Sequence, residues 1–269
     1  MSRLELYVQG WREAAADLRA VAAELDDKEW DTPTDCPGWT ARDVLAHVVA
    51  LEEHLAGIDS GSSDVVGSAP VVTPEWTEEG VEARRGRTVA DLLSDLDAAL
   101  AAREEQLSRE LVGAEPGGKP PRVPAGLPWD WDTLLRNRAI DMWVHGQDIR
   151  RAVGRPGGAD NTGAAVTLAS FTAALPYVLG KRVRPPVGTS VVWEVTGAQP
   201  ATVAVGIDES RRAVPLSEAP AEPTTRLVMD TETFAALVAG RGDPTGALVQ
   251  IIGDTELGRQ TVAAMAVTP

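Results

Sequence analysis

The chain has 269 residues, 43% hydrophobic and 24% charged, the balance of a globular protein and not of a disordered or fibrous one. A net charge of −15, from 25 basic and 40 acidic side chains, speaks against nucleic acid and anionic lipid as partners. The single cysteine, Cys36, excludes an intramolecular disulfide framework. No run approaches the roughly 18 apolar residues of a membrane span. The N-terminus, MSRLELYVQGWREAAADLRA, lacks the apolar centre of a signal peptide, so the expected setting is the cytoplasm.

Leu4, Tyr7, Trp11, Leu18, Val21 and Leu25 recur at helical spacing and predict a first helix over 3–26. The turn-rich DTPTDCPGWT follows. A second helix starts after Thr40, which with Asp43 three residues on resembles a capping box. Its inward stripe is Val44, His47, Val48, Leu51, His54, Leu55 and Ile58. Residues 57–74 read as a Gly/Ser/Pro-rich loop. A third helix is expected over about 77–110, with Val81, Arg85, Leu92, Leu96 and Leu100 near one face. Residues 113–128 are too rich in Pro and Gly for regular structure. A fourth helix spans about 131–153. Four helices with such loops suggest a four-helix bundle.

A fifth apolar helix, Ala164 to Leu179, leads into KRVRPPVG. The period then changes to two: TSVVWEVT, ATVAVGI, RRAVPL and TTRLVMD read as four strands. Helices are expected over 231–239, 255–265 and, as a possible third, 244–251. The fold class is therefore α followed by α+β: a helical bundle over 1–158, a connecting helix and linker over 159–185, and a small α+β domain with a four-stranded sheet over 186–269.

The fourth helix, TLLRNRAIDMWVHGQDIRRAV, carries the most chemistry. Asp141 and His145 are four apart and so stand on one face, and Arg138 and Asp148 extend that polar stripe. Burying an unpaired carboxylate is costly without a partner or a metal. With His47 from a facing helix, Asp141 and His145 form a ligand set suited to Zn²⁺ or a similar divalent ion, with a fourth position open. The residues alone leave open the alternative that Asp141 and His145 pair with arginines and that His47 is a core histidine. His54, seven residues after His47, lies about 10 Å further along the axis and reads as a buried or pocket-edge histidine. Cys36 has no His or basic residue near it in sequence and reads as a packing residue more than a nucleophile. Trp39, Trp129, Trp131 and Trp143 are core fillers or pocket walls. Gln147 and Asp148 are candidates to orient the ligands or engage Arg151.

The segments CPGWTARDVLAH and DMWVHGQDIRRAVGRPGG resemble the paired signatures of the mycothiol-dependent maleylpyruvate isomerase family, within the DinB-like metal-binding four-helix bundles. The tail DTETFAALVAGRGDPTGALVQIIGDTELGRQTVAAM is similar to that family's sterol-carrier-like C-terminal domain. The resemblance implies His47, Asp141 and His145 as metal ligands, with aspartate standing where the isomerase has glutamate. It implies mycothiol as thiol cosubstrate at the open position, its thiolate adding to a small electrophile such as an unsaturated dicarboxylate. The outcome is isomerisation about a double bond or thiol transfer. The other reading is a non-catalytic metal- and ligand-binding protein. The expected assembly is a monomer or homodimer.

Two arginines are candidates to meet the substrate. Arg85 falls on the inward stripe of the predicted third helix, where a guanidinium needs an anion: an internal Asp141 or Asp148, or a substrate carboxylate gripped through two hydrogen bonds. Arg241, in the AGRGDP turn, would reach the pocket or cap the preceding helix.

Overall fold

The computed structural model describes residues 1–58 and 73–268, so most of the expected 57–74 loop lies outside the described residues. The chain divides into two compact units, Met1–Gly157 and Gly158–Pro269. The segment 159–185, expected as a connector, is grouped with the second unit.

The first unit is helical: α1 (Arg3–Ala22), α2 (Ala41–Ala56), α3 (Pro74–Glu82), α4 (Val89–Glu110) and α5 (Trp131–Ala152). Each helix starts where a side chain can satisfy the free amides of its first turn. Ser2 and Glu5 make a reciprocal capping box on α1, and Thr40 and Asp43 make the expected one on α2. Thr73, Thr88 and Asp130 accept from the N3 amides of α3, α4 and α5. Helix α1 packs on α5, and α2 packs on α4, α5 and α3. Leu18, Val44, Leu45, Val48, Leu55, Leu92, Leu96, Leu134, Met142 and Ile149 are all at most 1% exposed. Each such side chain contributes roughly 1.5–3 kcal/mol relative to leaving it in water.

The single third helix expected over 77–110 is two helices. The chain turns at 83–88, where Arg87 N–H donates to the Arg84 carbonyl, and Thr88 begins α4 as a new N-cap. A helical period cannot be carried through such a turn, and this moves Arg85.

In the second unit, α6 (Thr162–Ala173) and α7 (Leu175–Tyr177) lead into a π-helical turn, Val178–Val183. The expectation that no stretch nears a membrane span is corrected here. The Thr162–Val183 helix is 22 residues long, and an 18-residue stretch of it has a mean hydropathy of 1.4, enough by length and composition. Its Val166, Leu168, Phe171, Leu175, Val178 and Leu179 are nevertheless buried within the protein. Pro176 interrupts it, so it reads as a core element.

The sheet has five strands, not four: β1 (Ser190–Thr196), β2 (Ala201–Ile207), β3 (Ala213–Pro215), β4 (Thr225–Asp230) and β5 (Gln250–Gly253), in the order β3-β2-β1-β4-β5. Strands β1 and β4 run parallel, with Trp193 opposite Leu227; the other pairs are antiparallel. Helices α8 (Thr231–Val238) and α9 (Thr255–Ala263) complete the unit. The possible helix over 244–251 is absent. Asp243 instead closes a turn by accepting from the Thr245 amide and hydroxyl, and β-branched Ile251 and Ile252 pair with β4. Gly253, at φ +94°, ends β5 where a Cβ would stand 2.5 Å from the Thr224 carbonyl oxygen, so only glycine fits.

Candidate metal centre

Helix α2 brings His47, and α5 brings Asp141 and His145, to one point. Asp141 Oδ1 lies 3.6 Å from His145 Nε2 and 3.8 Å from His47 Nε2. The imidazoles meet edge to face with centroids 4.8 Å apart, and the three donor atoms lie within 4.8 Å of one another. Neighbouring ligands of a tetrahedral ion bound at about 2.0–2.1 Å are about 3.3 Å apart, so small side-chain adjustments suffice to hold one. The donor set, two imidazoles and one carboxylate, is that of a divalent transition metal with a position left open. Both histidines are buried, whereas the Asp141 side chain keeps 28% of its surface exposed. The site therefore opens to solvent on the Asp141 side.

Each ligand is oriented by a neighbour. His145 Nδ1–H donates to Asp148 Oδ2 at 3.0 Å, which leaves Nε2 to face the centre. Asp148 is fully buried and held from two further sides: Arg151 Nη2 donates to Oδ1 at 2.6 Å and the Cys36 thiol donates to Oδ2 at 3.2 Å. Asp141 accepts from Arg138 Nη1 on Oδ2 at 2.9 Å, which leaves Oδ1 for the centre. Arginine pairing and a ligand role, alternatives in the sequence, thus coexist on the two oxygens of one carboxylate. Trp39 walls the imidazoles, its ring 5.1 Å from His47 and 6.5 Å from His145, and its indole N–H donates to Glu78 Oε2 at 2.7 Å. A small pocket lined by His47, Ala50, Leu51, Trp76, Thr77 and Gly80 opens beside His47.

The charges follow from these contacts. Burial pushes the His47 imidazole down from its ordinary value, so it is neutral at pH 7 with a lone pair to donate. Burial opposes ionisation of Asp141, but Arg138 and the imidazoles outweigh it and hold the carboxyl well below its usual range. Burial likewise disfavours a proton on His145, yet Asp141 and then Asp148 raise it well above its ordinary value. The metal-free centre is therefore a protonated His145 against an ionised Asp141, a cation where a metal ion would put one.

The Arg85 and Gln147 expectations change, whereas those for Arg241, His54 and the tryptophans resolve to one of their stated alternatives. Arg85 is not on an inward stripe: it sits in the turn after α3, is more than a third exposed, and is engaged by Glu78, Glu82 and Asp43. Its neighbour Arg84 takes the buried position, paired with Glu53. Asp141 pairs with Arg138 and Asp148 with Arg151. Arg241 Nη1 donates to the carbonyl of Ala239, the C-cap of α8, the contact of a helix-capping arginine. Gln147 donates to the Gly157 carbonyl, away from the ligands. His54 meets the Val123 carbonyl and the edge of Trp76. Trp131 and Trp143 are core, and Trp39 is the pocket wall.

Two contributors escaped the sequence reading. Cys36 lies 112 residues from Asp148, so no local spacing could join them. Glu52, fully buried, accepts from Arg138 and Trp11. The spacing Val44, Val48, Glu52, Leu55 on α2 was the available signal that Glu52 points inward.

Residues 11–150 match the family model described as mycothiol maleylpyruvate isomerase N-terminal domain. No curated protein matches the chain. Among solved structures, two crystal structures of the mycothiol-dependent maleylpyruvate isomerase, one of them a histidine-to-alanine mutant, share the fold. Both align with a TM-score of 0.51, at 18% and 19% identity, over 92% and 93% of this chain and 91% of each of theirs.

Proposed function

Because the chain belongs to the mycothiol maleylpyruvate isomerase family, whose model spans more than half of it, we propose that it is a metal- and thiol-dependent enzyme. It uses mycothiol against a small electrophile, in isomerisation or in thiol transfer. His47, Asp141 and His145 hold the divalent ion, for which Zn²⁺ is the first candidate among the transition metals that these donors suit. The observation that carries this reading is the meeting of three metal-ligating donor atoms within 4.8 Å on the half-exposed side of a buried cluster. When bound, the ion supplies a Lewis acid that keeps a coordinated thiol ionised at neutral pH.

The chain's own residues prepare that site. Asp148 fixes the His145 tautomer and ring direction through its hydrogen bond. Arg138 leaves Asp141 one free oxygen. Trp39 shields the imidazoles from water on one side, and the small pocket beside His47 has mostly apolar walls. Cys36, the one thiol of the chain, is buried and bonded to Asp148, so the reactive sulfur comes from the cosubstrate. A reduced low-molecular-weight thiol and a free cysteine both suit the cytoplasm.

The test is turnover by the zinc-loaded protein with mycothiol and a panel of electrophiles, maleylpyruvate among them. We expect turnover that requires the thiol, is abolished by a chelator and returns with zinc. Zinc binding without thiol-dependent turnover of any electrophile would favour a non-catalytic metal- and ligand-binding protein.

A further inference from the structure

Among the described residues, the largest investment of buried charge lies behind the metal-ligand cluster. Glu52 on α2, Arg103 on α4 and Arg138 on α5 are 0%, 2% and 3% exposed. Glu52 Oε1 accepts from Arg138 Nη2 at 2.7 Å, from Arg138 Nε at 3.2 Å and from Trp11 Nε1 at 3.1 Å. Glu52 Oε2 has no hydrogen-bond partner and faces Arg103 Nε, itself without one, at 3.8 Å. A buried ion pair of this kind is weak evidence for stability, because apolar residues of similar volume hold a bundle as well or better. Its geometry has another consequence. Two donors of the Arg138 fork, Nε and Nη2, grip Glu52, and Nη1 grips Asp141 Oδ2 at 2.9 Å. Glu52 shares α2 with His47, and Arg138 shares α5 with Asp141 and His145, so the pair ties the two ligand-bearing helices together beside the ligands.

Resting on the metal-site reading above, we propose that Arg138, locked by Glu52, is a positioning residue that makes Asp141 a one-oxygen ligand. With Oδ2 engaged, Asp141 offers only Oδ1, and the coordination position its second oxygen would fill stays free for an incoming donor. Asp141 is a short side chain with little freedom to rotate away from a guanidinium that is itself clamped from the other helix.

Cobalt(II) added to the metal-free protein tests this, because its visible absorption is strong in four-coordinate sites and weak in five- and six-coordinate ones. The wild type should show the strong band. The double variant Glu52→Leu/Arg138→Met removes the clamp, leaves Arg103 with its hydrogen bond to Gln106, and frees Asp141 to bind through both oxygens. Its band should weaken several-fold while cobalt still binds with one ion per chain. If that variant fails to fold, Glu52→Gln/Arg138→Gln removes both charges with polar side chains retained, and the same weakening is expected. A wild type that binds no cobalt would overturn the metal-site reading itself. Cobalt bound with the same spectrum in the wild type and in the folded double variant would overturn the positioning role alone.

Discussion

His145 turns its Nδ1–H to Asp148, 3.0 Å away, and so presents Nε2 to Asp141 and His47. One hydrogen bond thereby selects both the tautomer and the direction of a candidate ligand. Asp148 can do this because it is itself immobilised by Arg151 and by the Cys36 thiol. Replacing it with alanine should weaken zinc binding by about 10–100-fold, read by competition with a chromophoric chelator. Zinc affinity unchanged in a folded Asp148→Ala protein would remove Asp148 from the site.

Loss of a ligand should be felt in both occupancy and melting. Ligand binding to the folded state adds about 2.7 kcal/mol of stability at a hundredfold excess over Kd. Zinc should therefore raise the melting temperature of the wild type by several degrees. His47→Ala and His145→Ala should each abolish that increment, since two ligands rarely hold zinc against a chelator. Full zinc occupancy in the doubly substituted protein would refute the assignment.

The metal-free protein should depend on pH through His145. Its folded-state pKa is raised well above 6.5 by Asp141 and Asp148 against the opposing effect of burial. Its stabilising contribution is therefore complete below about pH 6.5, its unfolded value, and is lost as pH rises through the raised folded value. Melting of chelator-treated wild type should decline across that window, and His145→Gln should flatten the decline. Zinc needs the neutral imidazole, so its stabilisation should grow over the same range. Parallel melting curves for the wild type and His145→Gln would contradict the ion pair.

Arg85 offers the sharpest contrast between sequence and structure. Its guanidinium is engaged by Glu78, Glu82 and Asp43 at the surface, and screened surface pairs contribute little. Arg85→Lys should leave metal content and turnover unchanged. A turnover loss of tenfold or more at unchanged metal content would return Arg85 to the role of a substrate clamp.

The sequence by itself determined the elements whose signals are local. The Thr40–Asp43 box started α2 where expected, the apolar stripes of α1, α2 and α5 packed inward except at Ile58, which lies past the Gly57 cap and is exposed, and the alternating runs became strands. It also determined that Asp141 and His145 share a face, because their spacing equals one helical turn. Tertiary structure decided whatever depends on contacts distant in the chain. The break at 83–88 moved Arg85 outward and Arg84 inward, because rotational phase is lost at a turn. Strand β5 formed where a helix was possible, because Ile251 and Ile252 found an open edge on β4, and sequence holds no record of such an edge. Cys36 met Asp148, and Glu52 met Arg138, across 112 and 86 residues, since buried polar groups must find partners wherever the packing of helices brings them.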